Sequence, residues 1–134
     1  MSAETDKHEL FGVEAVLFVR DVAATVGFYR DVLGFNLDFD HGSPPIHARV
    51  SSGDPTVHTA RIRFEVEPAP LSGPRSCCLY VYVGHALDEL CTAYQSRGVD
   101  VVSLPKDRPW GLRQFEIRDC NGYLLVFVTE VART

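Results

Sequence analysis

Several aromatic residues occur where a flat ligand could be held. Trp110, the single tryptophan of the chain, lies next to a proline in a segment that leads into an apolar run. Tyr80 and Tyr82 alternate in LYVYV, so one face of a strand would carry both, and Phe39 follows Asp38 in FNLDFD. Rings at the edge of a groove hold planar or amphipathic molecules by stacking and by cation–π contact. The alternative is that the tyrosines fill the core and that Trp110 is a packing residue.

The histidines and cysteines indicate little coordination chemistry. A turn centred between Ser52 and Gly53 would place His47 opposite His58, but two histidines without a carboxylate are more typical of a solvated pair than of a metal site. No GxSxG, HExxH or glycine-rich phosphate loop is present. The cysteines lack CxxC spacing and are predicted to be reduced structural thiols: Cys77, Cys78, Cys91 and Cys120.

Composition narrows the class of protein. The 134 residues are expected to form a single domain over residues 1–134, and the formal charge of −5 argues against binding to a phosphate backbone. No apolar run approaches the ~20 residues that a membrane-spanning helix needs. The opening MSAETDKHEL lacks a basic segment followed by an apolar stretch, so we expect a cytoplasmic protein with neither nucleic acid nor membrane as a partner.

The first half of the chain predicts a strand, a helix and three strands. GVEAVLFVR is typical of a buried strand, FNLDFD alternates apolar and polar residues, and IHARV and VHTARIRFEVE flank the turn-forming SSGDPT. In the helix, Asp21 is a suitable N-cap and Gly34 a stop. Its apolar residues repeat on one face: Val22, Val26, Tyr29 and Leu33.

The second half repeats the same order of elements. CLYVYV is a predicted strand, HALDELCTAYQSRG a helix that Gly98 ends, and VDVVSL, LRQFEIRD and YLLVFVTE three further strands. Gly34 and Gly98 are 64 residues apart, and the same offset joins Glu14 to Cys78. The sequence therefore predicts an α+β fold of two βαβββ repeats, about residues 12–67 and 77–131, joined by a linker at 68–76. Each repeat would be a curved half-barrel sheet with one helix on its convex side, leaving concave faces for a groove.

VRDVAATVGFYRDVLGF, with a second half that ends in RDCNGYLLVF, resembles the vicinal oxygen chelate superfamily of glyoxalases, extradiol dioxygenases and drug-resistance proteins. Within it, LYVYVGHALDEL and RPWGLRQFEIRDCNGYLLVFV are most similar to the bleomycin-resistance proteins, which sequester a basic glycopeptide drug. The resemblance implies a paired βαβββ fold, usually in a homodimer, with grooves between half-barrels.

Enzymes of this superfamily hold a divalent ion through residues on the first and last strands of each repeat. The resemblance places Glu14, Cys78 and Val126 at such positions, and the remaining ligand near residues 63–65, where Glu65 is the candidate. Valine cannot ligate a metal, and a catalytic ion wants three protein ligands with suitable donor atoms. A metal-dependent glyoxalase-like lyase or isomerase, or a dioxygenase, using Glu14, Glu65 and Cys78 is therefore the alternative hypothesis.

The favoured hypothesis is a metal-free, cofactor-free binding protein of the bleomycin-resistance type. The resemblance implies that residues matching Asp38, Phe39, Tyr80 and Trp110 contribute to a drug groove, and Tyr82 lies on the same strand face as Tyr80. We expect a homodimer that sequesters a small aromatic or cationic compound in an acidic, aromatic-lined groove.

Overall fold

A computed structural model of the chain describes residue 10 and residues 12–53, 60–68 and 77–131. The first repeat contains β1 (Ala15–Val19), α1 (Val22–Gly27), a π-helical segment (Phe28–Leu33), β2 (Asn36–His41), β3 (His47–Ser52) and β4 (Ala60–Val66). The second repeat contains β5 (Cys78–Tyr82), α2 (Leu87–Ser96), β6 (Asp100–Asp107), β7 (Leu112–Arg118) and β8 (Leu124–Glu130).

The first helix begins and ends at the predicted residues. The Asp21 carboxylate accepts a hydrogen bond of 2.9 Å from the Ala24 N–H, which satisfies a donor that the helix itself leaves unpaired. α1 continues without a break into the π-helical segment, and Gly34 closes it with a φ of 90°. Only glycine adopts that conformation without steric cost, which explains the stop. Gly98 ends α2 in the same way, with a φ of 80°.

The two repeats have the same strand topology. Strand order is β1-β4-β3-β2 in the first sheet and β5-β8-β7-β6 in the second, and the first and last strands of each repeat pair in parallel. Val19 lies beside Val66 in one ladder, and Tyr82 lies beside Val128 in the other. This correspondence confirms the predicted duplication and the α+β class.

A continuous apolar core joins the repeats on the side of the helices. It contains Tyr29 and Phe64 from the first repeat and Tyr94, Phe115 and Phe127 from the second. Hydrogen bonds cross between the repeats as well. They run from the Tyr29 hydroxyl to Asp119, from the Tyr94 hydroxyl to the Leu33 carbonyl and from the Tyr123 hydroxyl to the Phe18 carbonyl, at 2.6, 2.7 and 2.7 Å.

The register of the β3–β4 ladder differs from the sequence prediction. Ser52 pairs with Ala60, so the turn is not centred between Ser52 and Gly53, and His47 lies opposite Glu65 rather than His58. His58 itself lies outside the described residues, as does most of the predicted linker. The turn-forming residues spread over several positions, and they did not fix which residues face each other across the ladder. No helix in the described ranges is long and apolar enough to cross a bilayer.

Candidate functional site

The face of each sheet that lies away from its helix is here called the concave face. In β3, Ala48 and Val50 belong to the core, so the alternate residues His47 and Arg49 point to the concave face. The same alternation in β4 buries Ile62 and Phe64 and sends Arg63 and Glu65 to the concave face. Basic and acidic side chains therefore cover this part of the first repeat.

Glu14, the first of the candidate metal ligands, is ion-paired with two arginines. Its carboxylate accepts a 2.7 Å hydrogen bond from Nε of Arg63, and Nη1 of Arg49 lies 3.5 Å from its other oxygen. The hydrogen bond from Arg63 lowers the pKa of Glu14, and the charges of Arg63 and Arg49 act in the same direction. The guanidinium of Arg63 thus supplies the positive charge beside Glu14.

Asp38 and Phe39 are likewise engaged by neighbours within the chain. Asp38 accepts bonds of 2.9 Å from Nε of Arg49 and 2.7 Å from the Ser51 hydroxyl. The Phe39 ring stacks on His47 at a centroid distance of 5.9 Å, and the guanidinium carbons of Arg49 and Arg63 lie 5.3 and 5.4 Å from its centroid. A ligand at this place would have to compete with partners that are already bonded.

The tyrosines of β5 lie on the concave face of the second repeat and are open to solvent. Leu79 and Val81 pack against the core, so the alternate residues Tyr80 and Tyr82 point to the opposite face of the sheet. The side chains of Tyr80 and Tyr82 are 50% and 69% exposed, so the alternative that they fill the core is wrong.

Trp110 lies in the turn between β6 and β7, and 59% of its surface is exposed. The turn closes through a 2.7 Å bond from the Arg108 N–H to the Leu112 carbonyl, and Gly111 provides a φ of 87°. The Arg108 guanidinium carbon lies 6.0 Å from the Trp110 ring centroid. The structure therefore places Trp110 outside the core, which is one of the two locations that the sequence left open.

Two adjoining clefts run beside these rings. The first, of about 780 Å³, is lined by residues that include Tyr82, His85 and Trp110. The second, of about 670 Å³, is lined by residues that include Ser52 and Tyr80. Tyr82 and Glu130 line both clefts, so the two spaces share a wall.

Sequence reasoning did not select His85 or Glu130 as site residues. A usable signal existed for Glu130, which is a charged residue at the end of the strand-like run YLLVFVTE. His85 carries no comparable signal, because it stands in a segment between a strand and a helix where polar residues are ordinary.

The residues that the resemblance places at the family's metal positions do not match what a divalent ion requires. Val126 has no donor atom, and desolvation raises the pKa of the Cys78 thiol, with the nearby Glu116 carboxylate adding to the rise, so the thiolate ligand is disfavoured. Glu65 lies beside His47, with 3.5 Å between Oε1 and Nδ1. Within the part of the chain that the structure describes, no group of three or more His, Cys, Asp or Glu side chains could hold an ion.

Taken with its fold, this site defines a class of protein: a duplicated βαβββ chain whose concave surface offers aromatic rings and open clefts. Stacking, hydrophobic contact and cation–π attraction are the interactions that such a surface supplies. Residues 13–127 match the family model described as the Glyoxalase/Bleomycin resistance protein/Dioxygenase superfamily, and the chain belongs to that superfamily.

Solved structures agree with this classification. The bleomycin-binding protein from bleomycin-producing Streptomyces verticillus, complexed with copper(II)-bleomycin, is 25% identical, with a TM-score of 0.70 over 94% of this chain and 100% of that chain. TioX from Micromonospora sp. ML1 is 28% identical, with a TM-score of 0.66 over 89% of this chain and 96% of that chain. A superfamily member from Sphaerobacter thermophilus, 22% identical with a TM-score of 0.70 over 91% of this chain and 98% of that chain, shares the fold. A comparison with functionally curated proteins finds no match.

Proposed function

We propose that this protein is a metal-free, homodimeric binding protein of the bleomycin-resistance type, which sequesters a small aromatic or cationic compound in the cytoplasm. The observation that carries the proposal is the exposure of Tyr80, Tyr82 and Trp110 beside the two clefts. Large rings are costly to leave in water, and an exposed aromatic surface around a cleft is typical of a binding site.

The residues on the concave face support binding over metal-dependent catalysis. Glu14 is already paired with Arg63 and Arg49. The resemblance places Val126 where the superfamily's enzymes carry an acidic ligand. An ion at Glu14 would have to displace a guanidinium and would still lack a full set of donors. Similarity to a bleomycin-binding protein that was solved in complex with copper(II)-bleomycin adds support.

The homodimer is proposed from apolar side chains that face away from the core. Val16 and Phe18 alternate with the buried Leu17 and Val19 on β1, and they are 41% and 39% exposed. An edge strand that presents such side chains to water gains stability when a second copy covers it. Size-exclusion chromatography with light scattering tests this: a mass near twice 14.9 kDa is expected, and a monomer at high concentration would contradict it.

Binding is tested by titrating the protein with metal-free bleomycin and recording Trp110 fluorescence and the melting temperature. Because the chain has one tryptophan, emission excited selectively in the indole band reports on Trp110 in the lining of the larger cleft. We expect a saturable change in emission and a rise in melting temperature that grows with ligand concentration. The absence of both at millimolar ligand would remove bleomycin as a ligand, and a panel of planar and cationic compounds then tests the wider class.

The alternative hypothesis of a metal-dependent lyase, isomerase or dioxygenase is tested separately. Protein purified without chelators is subjected to elemental analysis and then melted with nickel, zinc, iron(II) or manganese. The proposal predicts substoichiometric metal and unchanged melting. Stoichiometric metal with a raised melting temperature would favour the enzyme, since a ligand that binds the folded state tightly stabilises it by RT ln(1 + [L]/Kd).

A further inference from the structure

Glu130, the last residue of β8, lies where the two clefts adjoin. It is the acidic residue that lines both clefts, and Tyr82 lines both with it. Trp110 belongs to the lining of the larger cleft and Tyr80 to that of the smaller one. A carboxylate is thus placed among three exposed rings.

The Glu130 carboxylate has no counter-ion among the described residues. None of them lies within hydrogen-bond or ion-pair distance of its side chain. Asp38, by contrast, is bonded to Arg49 and Ser51, so its charge is largely compensated. The acid that the sequence singled out for recognition is therefore the less available of the two.

From this contrast we infer that Glu130 is the residue that selects the ligand, and that the ligand carries an organic cation, an ammonium or a guanidinium, attached to a planar ring system. The inference rests on the binding function proposed above and names the charge that the binding site recognises. Ring faces and a carboxylate attract the same positive group, and at the exposed position of Glu130 the contribution of the carboxylate is screened by salt.

The neighbouring charged and titratable groups are consistent with this division of roles. Arg108 lies 6.0 Å from the Trp110 ring, so a ligand cation near Trp110 competes with the chain's own guanidinium and needs the negative charge of Glu130. His85 lines the same cleft and adds no negative charge. A single carboxylate is too few donors for a metal ion, which leaves an organic cation as the fitting partner.

The test compares a matched pair of planar probes at pH 8: 9-aminoacridine, which is a cation, and acridine, which is neutral. Affinities are measured by calorimetry for the unmodified protein, for Glu130→Gln, for Glu130→Asp and for Asp100→Asn. Asp100 is exposed at the beginning of β6 and lines neither of the two clefts, so its variant makes the same change in net charge elsewhere. Melting curves check that each variant is folded.

We expect the unmodified protein to bind 9-aminoacridine at least tenfold more tightly than acridine, with a preference that shrinks as salt is added. Glu130→Gln should abolish the preference, because it lowers the affinity for the cation and leaves the affinity for neutral acridine unchanged. Glu130→Asp should keep part of the preference, and Asp100→Asn should keep all of it. Unchanged binding of the cation by Glu130→Gln would overturn the inference while leaving the binding function intact. Failure of the unmodified protein to bind either probe would overturn both.

Discussion

The hydroxyl of Tyr29 donates a 2.6 Å hydrogen bond to the carboxylate of Asp119, joining residues that are 90 positions apart. Tyr29 lies in the π-helical segment of the first repeat, and Asp119 lies in the β7–β8 turn of the second. The other carboxylate oxygen of Asp119 accepts bonds of 2.8 Å from the N–H groups of Asn121 and Tyr123. Asp119 therefore shapes its own turn and fastens that turn to the opposite repeat.

Tyr29→Phe removes only the bond between the repeats and should lower the free energy of unfolding. Because the acceptor is a buried carboxylate, the expected loss is about 1.5–3 kcal/mol. The measurement is urea unfolding followed by circular dichroism. Tyr82→Phe is the matched control, since its exposed hydroxyl should contribute within about 0.5 kcal/mol. Equal midpoints for Tyr29→Phe and the unmodified protein would contradict a stabilising role for this bond.

Alkaline pH should destabilise the fold through its buried tyrosines. Burial raises the pKa of Tyr94 from 10.0 to about 12, and it also raises the pKa of Tyr29 well above 10.0, with the neighbouring Asp119 adding to the effect. The unfolded chain therefore loses these protons first. The stabilising contribution of each tyrosine is fully present below pH 10. The free energy of unfolding then falls as pH rises towards the folded pKa, by roughly 1.4 kcal/mol per pH unit for each tyrosine.

Tyr94→Phe tests this assignment through the slope of stability against pH. The variant is less stable at neutral pH, because the bond to the Leu33 carbonyl is lost, but its stability should fall less steeply between pH 10 and 12. Cysteines with a raised pKa contribute equally to both proteins, so the difference isolates Tyr94. Parallel curves for the two proteins would show that Tyr94 does not titrate in this range.

The order of the elements could be predicted because its signals are local. Asp21 caps the first helix, and Gly34 and Gly98 adopt the positive φ that ends each helix. The position of the β3–β4 turn was predicted wrongly, since its turn-forming residues spread over more positions than the turn needs. Alternation identifies the buried face of a strand but does not determine its partner residue.

The partners of the site residues could not be predicted for a different reason. Glu14 meets Arg49 and Arg63, which lie 35 and 49 positions further along the chain, through a parallel pairing of β1 with β4 that no short-range pattern specifies. The sequence therefore indicated Glu14 as a possible metal ligand but did not indicate that two guanidinium groups lie beside it. Exposure of Trp110 and of the tyrosines also depends on which face the core occupies, and that is a property of the whole fold.

Glu14→Gln should destabilise the protein at neutral pH by about 1 kcal/mol, because the arginines lose an ionised acceptor at a partly exposed site. The hydrogen bond from Arg63 holds the pKa of Glu14 below 4.5, so its contribution is present above that pH and is lost as pH falls through the folded pKa. The difference in free energy of unfolding between the two proteins should be full at pH 7 and should shrink as the pH is lowered below 4.5, measured by urea unfolding at a series of acidic pH values. A difference that stays constant across the whole acidic range in which the protein remains folded would contradict an electrostatic origin.

Phe39 and Trp110 should contribute unequally to ligand binding. Phe39→Leu is expected to change the affinity for 9-aminoacridine by less than threefold, since its ring is already flanked by Arg49, Arg63 and His47. Trp110→Leu should weaken the same ligand by about 10-fold, which corresponds to one lost ring contact of roughly 1.4 kcal/mol. Probe fluorescence gives both affinities. A larger loss of affinity in Phe39→Leu than in Trp110→Leu would indicate that the ligand binds at the first repeat.

Arg113 should hold Trp110 in place without touching a ligand. Its guanidinium bonds to both carboxylate oxygens of Asp88 in α2, each at 2.9 Å, and to Asp107 at 3.0 Å. Asp107 and Arg113 stand at the two ends of the turn that carries Trp110, so the three-way contact fastens both ends of that turn to the helix. The bonds from Arg113 also lower the pKa of Asp88, which keeps this carboxylate ionised.

Arg113→Met should therefore loosen the Trp110 turn, with lower fluorescence anisotropy and stronger quenching by acrylamide. Ordering one freed side chain on binding costs roughly 0.5–1.5 kcal/mol, so the affinity for a planar ligand should fall about 3- to 10-fold. Arg30→Met is the control, because it removes an exposed pair with Asp31 in the π-helical segment. Anisotropy and affinity that match those of the control would show that the turn holds its shape without Arg113.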